Sequence, residues 1–308
     1  MKYLNTKNSI EKMKNENIHV DNINLVTSFI NSYGYYNVVN AYREILVDFN
    51  PSFSDFWNLF RLDHELKSIV LKYVLLIEIK FKHILSKAWS EKIGVSIRDY
   101  LSLKNHKGNA KSNINKALNK INWNDKPISS ERYFIDFPPW VFLKSLPFGN
   151  SIRMYTISKG EIKDYVANNM ITDTKKLKID DKKRIFKDSI ELLREFRNAM
   201  AHGNRLVNHN VKKRLNYNDL ERITLARYVD KQTYSNGIGE SDLLALFISI
   251  LIFLDMEEMR IDFLTELSMV INGYESVNNQ EFIDKFLSIT KLPNNFLDIL
   301  EDCLIIWQ

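Results

Sequence analysis

The sequence predicts an all-α protein, a multi-helix bundle, on three observations. Apolar residues recur at spacings of three and four, whereas no convincing series recurs at two. The periodic segments run long, and the chain has only 9 Gly and 6 Pro in 308 residues, too few for a loop-rich sandwich or a disordered chain. At 45% hydrophobic and 26% charged residues, it has ample material for a core.

Taken in order, Ile23 to Ile30 and Tyr36 to Phe49 read as short helices parted by SYGYY, the second closed by Pro51. Ser54 to Trp89 carries a broad apolar stripe of Phe56, Leu59, Phe60, Leu66, Ile69, Val70, Tyr73, Leu76, Ile77, Phe81, Ile84 and Leu85. With Ser54 as N-cap and Gly94 near the end, this is one long central helix or two with a bend. Residues 102–139 are Asn- and Lys-rich, with six Lys against Asp125 alone between Lys104 and Lys126, and read as an insertion or mobile arm holding at most one short helix. Its lysines make a solvated loop, or a contact for RNA.

Helical periodicity returns after Trp140, through VFLKSL and then PFGNSIRMYTIS. A basic run at 175–187 leads into a helix from about Asp180 to beyond Arg194. Further helices are predicted near 217–231, 241–256, 259–272, 279–289 and 295–305. Four regions result: 1–101, the arm 102–139, the helices of 140–236, and an acidic C-terminal helical region 237–308.

The net charge of +5 is a difference between unlike regions. Residues 1–236 hold 40 Lys+Arg against 25 Asp+Glu, a net of +15, while 237–308 hold 3 against 13, a net of −10. A basic body suits a polyanion, most commonly nucleic acid; a coding sequence rich in A and T, which inflates Lys, Asn and Ile, is the bland alternative. The acidic helices are expected to pack on the basic body or to limit which RNA reaches it. The polar N-terminus offers no export signal, and the apolar run Leu243 to Leu254 is shorter than the ~20 residues a bilayer needs, so it reads as a buried helix and no membrane partner is expected. The lone Cys303 cannot form an intramolecular disulfide, which points to a reducing, cytoplasmic setting.

One constellation carries chemistry. In ELLREFRNAMAHGNR, a continuing helix places Arg194, Asn198, His202 and Arg205 on one face, with Arg197 at its edge. Guanidinium, carboxamide and imidazole together suit a phosphodiester. RNA supplies its own 2′-hydroxyl nucleophile, so the protein need only move a proton with the imidazole and stabilise the pentacoordinate transition state with a guanidinium. DNA is inert by this route. One helix supplies one histidine, whereas acid and base roles are most simply met by two, so a symmetric homodimer is expected. The alternative is that His202-Gly203 is a plain C-cap, with Arg and His complementing the helix dipole.

The pattern Arg197-Asn198-x-x-x-His202 resembles the signature of the HEPN ribonucleases, which also occurs in the type VI CRISPR effector nucleases. LREFRNAMAHGNRLVN further resembles the C-terminal signature of the bacterial abortive-infection (Abi) family. Three upstream blocks are similar to that family too: YGYYNVVNAY at 33–42, FWNLFRLDHELKSIVLKYVLLIEIKFKHIL at 56–85 and PPWVFLKSLPFGNSIRMY at 138–155. The likeness covers roughly residues 20–230. It implies a HEPN-like fold and a metal-independent endoribonuclease without cofactor, acting in phage defence or as the toxin of a toxin-antitoxin pair. On it, Arg197 holds phosphate, Asn198 orients, His202 transfers the proton and Arg205 supports. Gly203 departs from the family, many of whose members carry a second His there, which makes the dimer more necessary.

Lys212, Lys213 and Arg214, followed by Arg222 and Arg227, read either as a solvated face or as contacts to the RNA backbone. Tyr33, Tyr35, Tyr36 and Tyr42 are stacking platforms or core. His209, seven residues from His202, lacks nearby carboxylates or thiolates, so no metal is expected. His64, between Asp63 and Glu65, reads as exposed. Glu78 reads as half of a structural ion pair, with a partner such as an arginine of the signature helix, or else as a catalytic carboxylate. The other functional reading is a catalytically silent RNA-binding protein, complexed with a companion regulatory RNA or antitoxin; an acidic protein partner is the third.

Overall fold

The long helix organises the molecule. In the computed structural model, which describes residues 5–121, 137–171, 177–224, 229–278 and 280–306, it runs unbroken over Phe53–Lys92, 40 residues and so about 60 Å. No Gly or Pro interrupts it, which is why it forms one helix and not two. Its N-cap is Ser52, two residues before the serine expected: the Ser52 hydroxyl accepts from the Asp55 N–H at 3.3 Å and the Asp55 carboxylate accepts from the Ser52 N–H at 2.8 Å. Ile93 and Gly94 both donate to the Trp89 carbonyl and end it, Gly94 at φ +131. The expected stripe is buried except for Phe60, partly covered, and Leu76, 36% exposed.

Before it come α1 (Thr6–Asn15), α2 (Ile23–Tyr33), a π-turn at Tyr36–Asn40 and α3 (Ala41–Leu46); the long helix is α4. The polar sequence of α1 gave no helical signal; Asn5 caps it and Met13 and Ser9 are its buried residues. Phe29 on α2 meets Trp57 and Phe60 on α4 edge-on, with ring centroids 4.2 and 5.3 Å apart. Of the four tyrosines, Tyr35 and Tyr42 are core residues whose hydroxyls donate to Glu16 and Asp63, whereas Tyr33 and Tyr36 are exposed.

After α4, a short α5 (Ile97–Tyr100) leads into the Asn/Lys-rich segment. Part of this is structured: α6 (Ala110–Leu118) packs on the helix Phe148–Ile157, and His106 is buried, its Nε2 2.6 Å from the Tyr100 carbonyl. Residues 122–136 lie outside the described residues. Next come α7 (Pro139–Lys144), with proline at its first position, α8 (Phe148–Ile157), α9 (Gly160–Met170) and the signature helix α10 (Ile179–Ala201). Phe81 meets Phe186 at 5.7 Å, while Asp63 meets Leu206 and Val207, so α4 and α10 run antiparallel.

After α11 (Tyr217–Thr224) and α12 (Lys231–Ser235), the acidic region wraps the same core as α13 (Leu243–Phe253), α14 (Glu257–Asn278), α15 (Gln280–Thr290) and α16 (Phe296–Ile306). Every residue of α13 is buried, and it packs on both α10 and α4. Opposite charges meet along the seam: Lys80 with Asp255 at 3.1 Å, Lys285 with Asp55 at 3.2 Å, and Lys72 with Glu266, which also accepts from the Tyr73 hydroxyl at 3.0 Å. The charge boundary near 237 is therefore no boundary in the core, because one hydrophobic cluster runs from Met13 to Leu300. Among the described residues there is no strand, and no helix is long and apolar enough to cross a membrane.

Candidate functional site

The site is built on the last two turns of α10. Its inner face buries Ile185, Phe186, Ile190, Leu192, Leu193, Phe196 and Met200. Its first turn carries Asp180 and Asp181, where negative charge complements the dipole. Arg184 holds the Asp181 carboxyl below its usual range, with Arg222 adding to the effect, and grips buried Asp219 through two nitrogens, Nε at 2.7 Å.

The helix stops at Ala201. The His202 N–H bonds the Asn198 carbonyl at 3.1 Å, then Gly203 bonds Met200 and Asn204 bonds Ala199, each at 3.0 Å. Gly203 sits at φ +78, a left-handed conformation that glycine adopts without strain. Gly203 is thus the residue that ends the helix. Arg194, Asn198 and His202 keep their shared face, but Arg205 lies past its end. Its guanidinium turns back to the Ala41 carbonyl, so it bridges the loop to α3 instead of extending the polar stripe.

At the tip, Arg197 and Asn198 are half-buried, with Nη1 of Arg197 3.4 Å from Oδ1 of Asn198. The His202 side chain is exposed and has no hydrogen-bond partner among the described residues. The arrangement offers solvent an exposed imidazole, with a carboxamide and the guanidiniums of Arg197 and Arg194 before it on α10.

A buried carboxylate fixes the loop that follows. Asp63, fully buried on α4, accepts from the backbone N–H of Leu206 at 2.7 Å and of Val207 at 2.8 Å through one oxygen. The other oxygen takes the Tyr42 hydroxyl at 2.8 Å and Lys67 Nζ at 2.6 Å. Burial and the Asp63 charge push the Tyr42 phenol well above its ordinary value, so it stays a donor. Sequence reading passed over Asp63 in favour of His64, which is exposed, its Nδ1 2.7 Å from the Phe60 carbonyl. The signal was present: position 63 stands four after Leu59 and seven before Val70, on the stripe that α4 buries.

The other cations divide. Arg194 is held by Glu191 at 2.5 Å and Glu195 at 3.3 Å. Glu195 also accepts from the backbone of Lys212 and Lys213, at 2.8 and 3.1 Å, docking the basic loop on α10. The side chains of Lys213, Arg214 and Arg222 pair with Asp188, Glu240 and Asp181 at 2.5, 2.9 and 2.5 Å, while Lys212 is exposed. Arg227 lies outside the described residues. Burial, then the Arg205 charge, lowers the His209 pKa, and its ring meets Phe196 edge-on at 5.7 Å. No group of three or more His, Cys, Asp or Glu is placed to hold a metal among the described residues.

Glu78 differs from expectation. Its ion-pair partner is Lys82, 2.7 Å away and one turn on, not an arginine of α10. With Phe81 opposite Phe186, the antiparallel register sets Glu78 about level with Ser189, some 20 Å along α10 from His202. A carboxylate so placed does not share a proton with that imidazole within one chain.

A family model described as Abi-like protein matches residues 28–208, more than half of the chain. The match takes in Asp63 and the whole signature, and ends before Lys212 and the acidic region. No curated protein and no solved structure matches.

Proposed function

This chain belongs to the Abi-like protein family, and from that premise we propose that it is a metal-independent endoribonuclease acting in phage defence, by abortive infection or as the toxin of a toxin-antitoxin pair. The observation that carries this reading is the C-terminal end of α10: an exposed His202 whose side chain has no hydrogen-bond partner among the described residues, set by the Gly203 cap one turn after the Arg197–Asn198 pair.

The chemistry follows from the side chains. The Arg197 guanidinium binds the phosphate oxygens and counters the charge that grows in the pentacoordinate transition state. Asn198 orients the phosphate or the imidazole. His202 takes the 2′-hydroxyl proton, or returns one to the departing 5′-oxygen, and the product is a 2′,3′-cyclic phosphate. Because each chain presents one such histidine, the working species is a homodimer in which two α10 ends share the two proton transfers.

Purified protein is expected to cut RNA in the presence of a chelator, with His202→Ala and Arg197→Ala abolishing cutting while melting as wild type does. Cutting that persists in His202→Ala refutes the assignment. A second reading, an RNA-binding protein that cuts nothing and is held by a companion RNA or antitoxin, is favoured by the single histidine if the protein proves monomeric. It predicts salt-sensitive RNA binding without product, and expression that is harmless whether or not His202 is present.

A further inference from the structure

The block PPWVFLKSLPFGNSIRMY carries no part of the proposed chemistry, yet α8 begins in it beside the site. Helix α8 has ten residues and no side-chain cap, and its N-cap is Pro147. The first N–H groups bonded are those of Asn150 and Ser151, both to the Pro147 carbonyl, which leaves the N–H groups of Phe148 and Gly149 unbonded among the described residues. Asn150 stands at the third position of the helix. A side chain there normally reaches back to the N–H of the capping residue, and proline has none. Its carboxamide consequently has no hydrogen-bond partner among the described residues, in a residue only 8% exposed.

Arg194 closes the other side. A Cβ on Gly149 would lie 3.2 Å from its Cδ, so glycine lets this side chain lie against the first turn of α8. Nε of Arg194 is engaged by Glu191 and one terminal nitrogen by Glu195, which fixes the guanidinium and leaves donors over from its five. Lys82 pins the turn ahead of the helix by donating to the Leu146 carbonyl at 2.6 Å.

We propose that the N-terminal end of α8 is a second phosphate subsite, in which Phe148, Gly149, Asn150 and Arg194 take a backbone phosphodiester of single-stranded RNA adjacent to the one held by Arg197. The inference rests on RNA being the substrate. Free N–H groups at a positive helix end, a carboxamide donor and a fixed guanidinium form a ligand set for a phosphate. Arg194 and Asn198 are four residues apart on α10, about 6 Å along its axis, so successive phosphates of one strand meet the two sites. The subsite also gives direction: the strand enters across α8 and its scissile bond lies at His202.

The probe is a fluorescent, fully 2′-O-methylated oligoribonucleotide, which keeps the backbone and lacks the nucleophile. The full-length Asn150→Asp variant is expected to bind it about tenfold more weakly, with the salt dependence of log K shallower by ~0.7, the single-strand value for one phosphate. Asp in a first turn suits the helix dipole, so folding is kept. Gly149→Ala, whose methyl displaces Arg194, is expected to weaken binding about threefold without lowering the melting temperature, since Ala favours helix over Gly. Affinities and salt slopes like wild type in both variants overturn the subsite. So does a melting temperature that inorganic phosphate raises in wild type but not in Asn150→Asp while probe binding is equal, because the ligand is then free phosphate. Wild type that binds the probe but never cuts unmodified RNA, with Asn150→Asp impaired, sustains the subsite and removes the nuclease reading. Wild type that does not bind the probe removes both.

Discussion

Replacing Asp63 by Asn tests whether a buried carboxylate on the long helix holds the signature loop. Asparagine retains one carbonyl oxygen for the Leu206 and Val207 N–H groups, but turns an NH2 toward Tyr42 and Lys67, where Asp63 presents its second oxygen. The Lys67 side chain, only 12% exposed, then loses its counter-charge. Removing one partner of a buried pair costs about 3–5 kcal/mol, and the residual exposure of Lys67 trims this to roughly 2–4 kcal/mol. Alanine would in addition orphan two buried N–H donors at ~1–3 kcal/mol each. That total rivals the ~5–15 kcal/mol stability of a whole domain, so Asp63→Ala is expected not to fold. Urea unfolding followed by circular dichroism measures the Asn variant, with hydrogen exchange at Leu206 and Val207 to locate the effect. Lys67→Met on the Asp63→Asn background removes the stranded charge and is expected to recover part of the loss, as a double-mutant cycle. If Asp63→Asn lies within about 0.5 kcal/mol of wild type, the range of ordinary surface changes, Asp63 does not hold the loop.

Truncation after residue 236 removes α13, which is buried against α10 and α4, and is expected to abolish cooperative unfolding in calorimetry rather than yield a trimmed, folded protein. Arg184→Lys loses the two-nitrogen grip on buried Asp219 and is expected to cost about 1–2 kcal/mol in urea unfolding, part of the ion pair surviving. Burial lowers the pKa of both His106 and His209, so below about pH 6.5 the unfolded chain binds more protons than the folded one. Stability is therefore expected to hold above that pH and to fall beneath it. His106→Gln is expected to make the fall shallower when urea midpoints are compared across pH, and an unchanged slope counts against His106 as a source.

The sequence by itself determined the helices and the chemistry-bearing segment. Helical periodicity survives in one dimension, so α4, α10 and the helices of the acidic region could be placed to within a few residues, except α14, which runs six residues past its expected end, and Arg194, Asn198 and His202 share a face because their spacing is local. It missed α1, whose Asn5 cap and buried Met13 are set in a polar stretch, and α9, for which no separate helix was expected. What only the tertiary structure decided is which distant groups meet. Asp63 reaches Leu206, Ala41 takes Arg205, Gly149 admits Arg194 and α13 enters the core, all across sequence separations that no local pattern encodes. It also decided that Glu78 sits far along the bundle from His202, and that Lys213, Arg214 and Arg222 are each matched to an acid. The physical reason is that periodicity reports which face of a helix is buried, while the neighbour on that face is chosen by packing and by the demand that every buried charge find a partner.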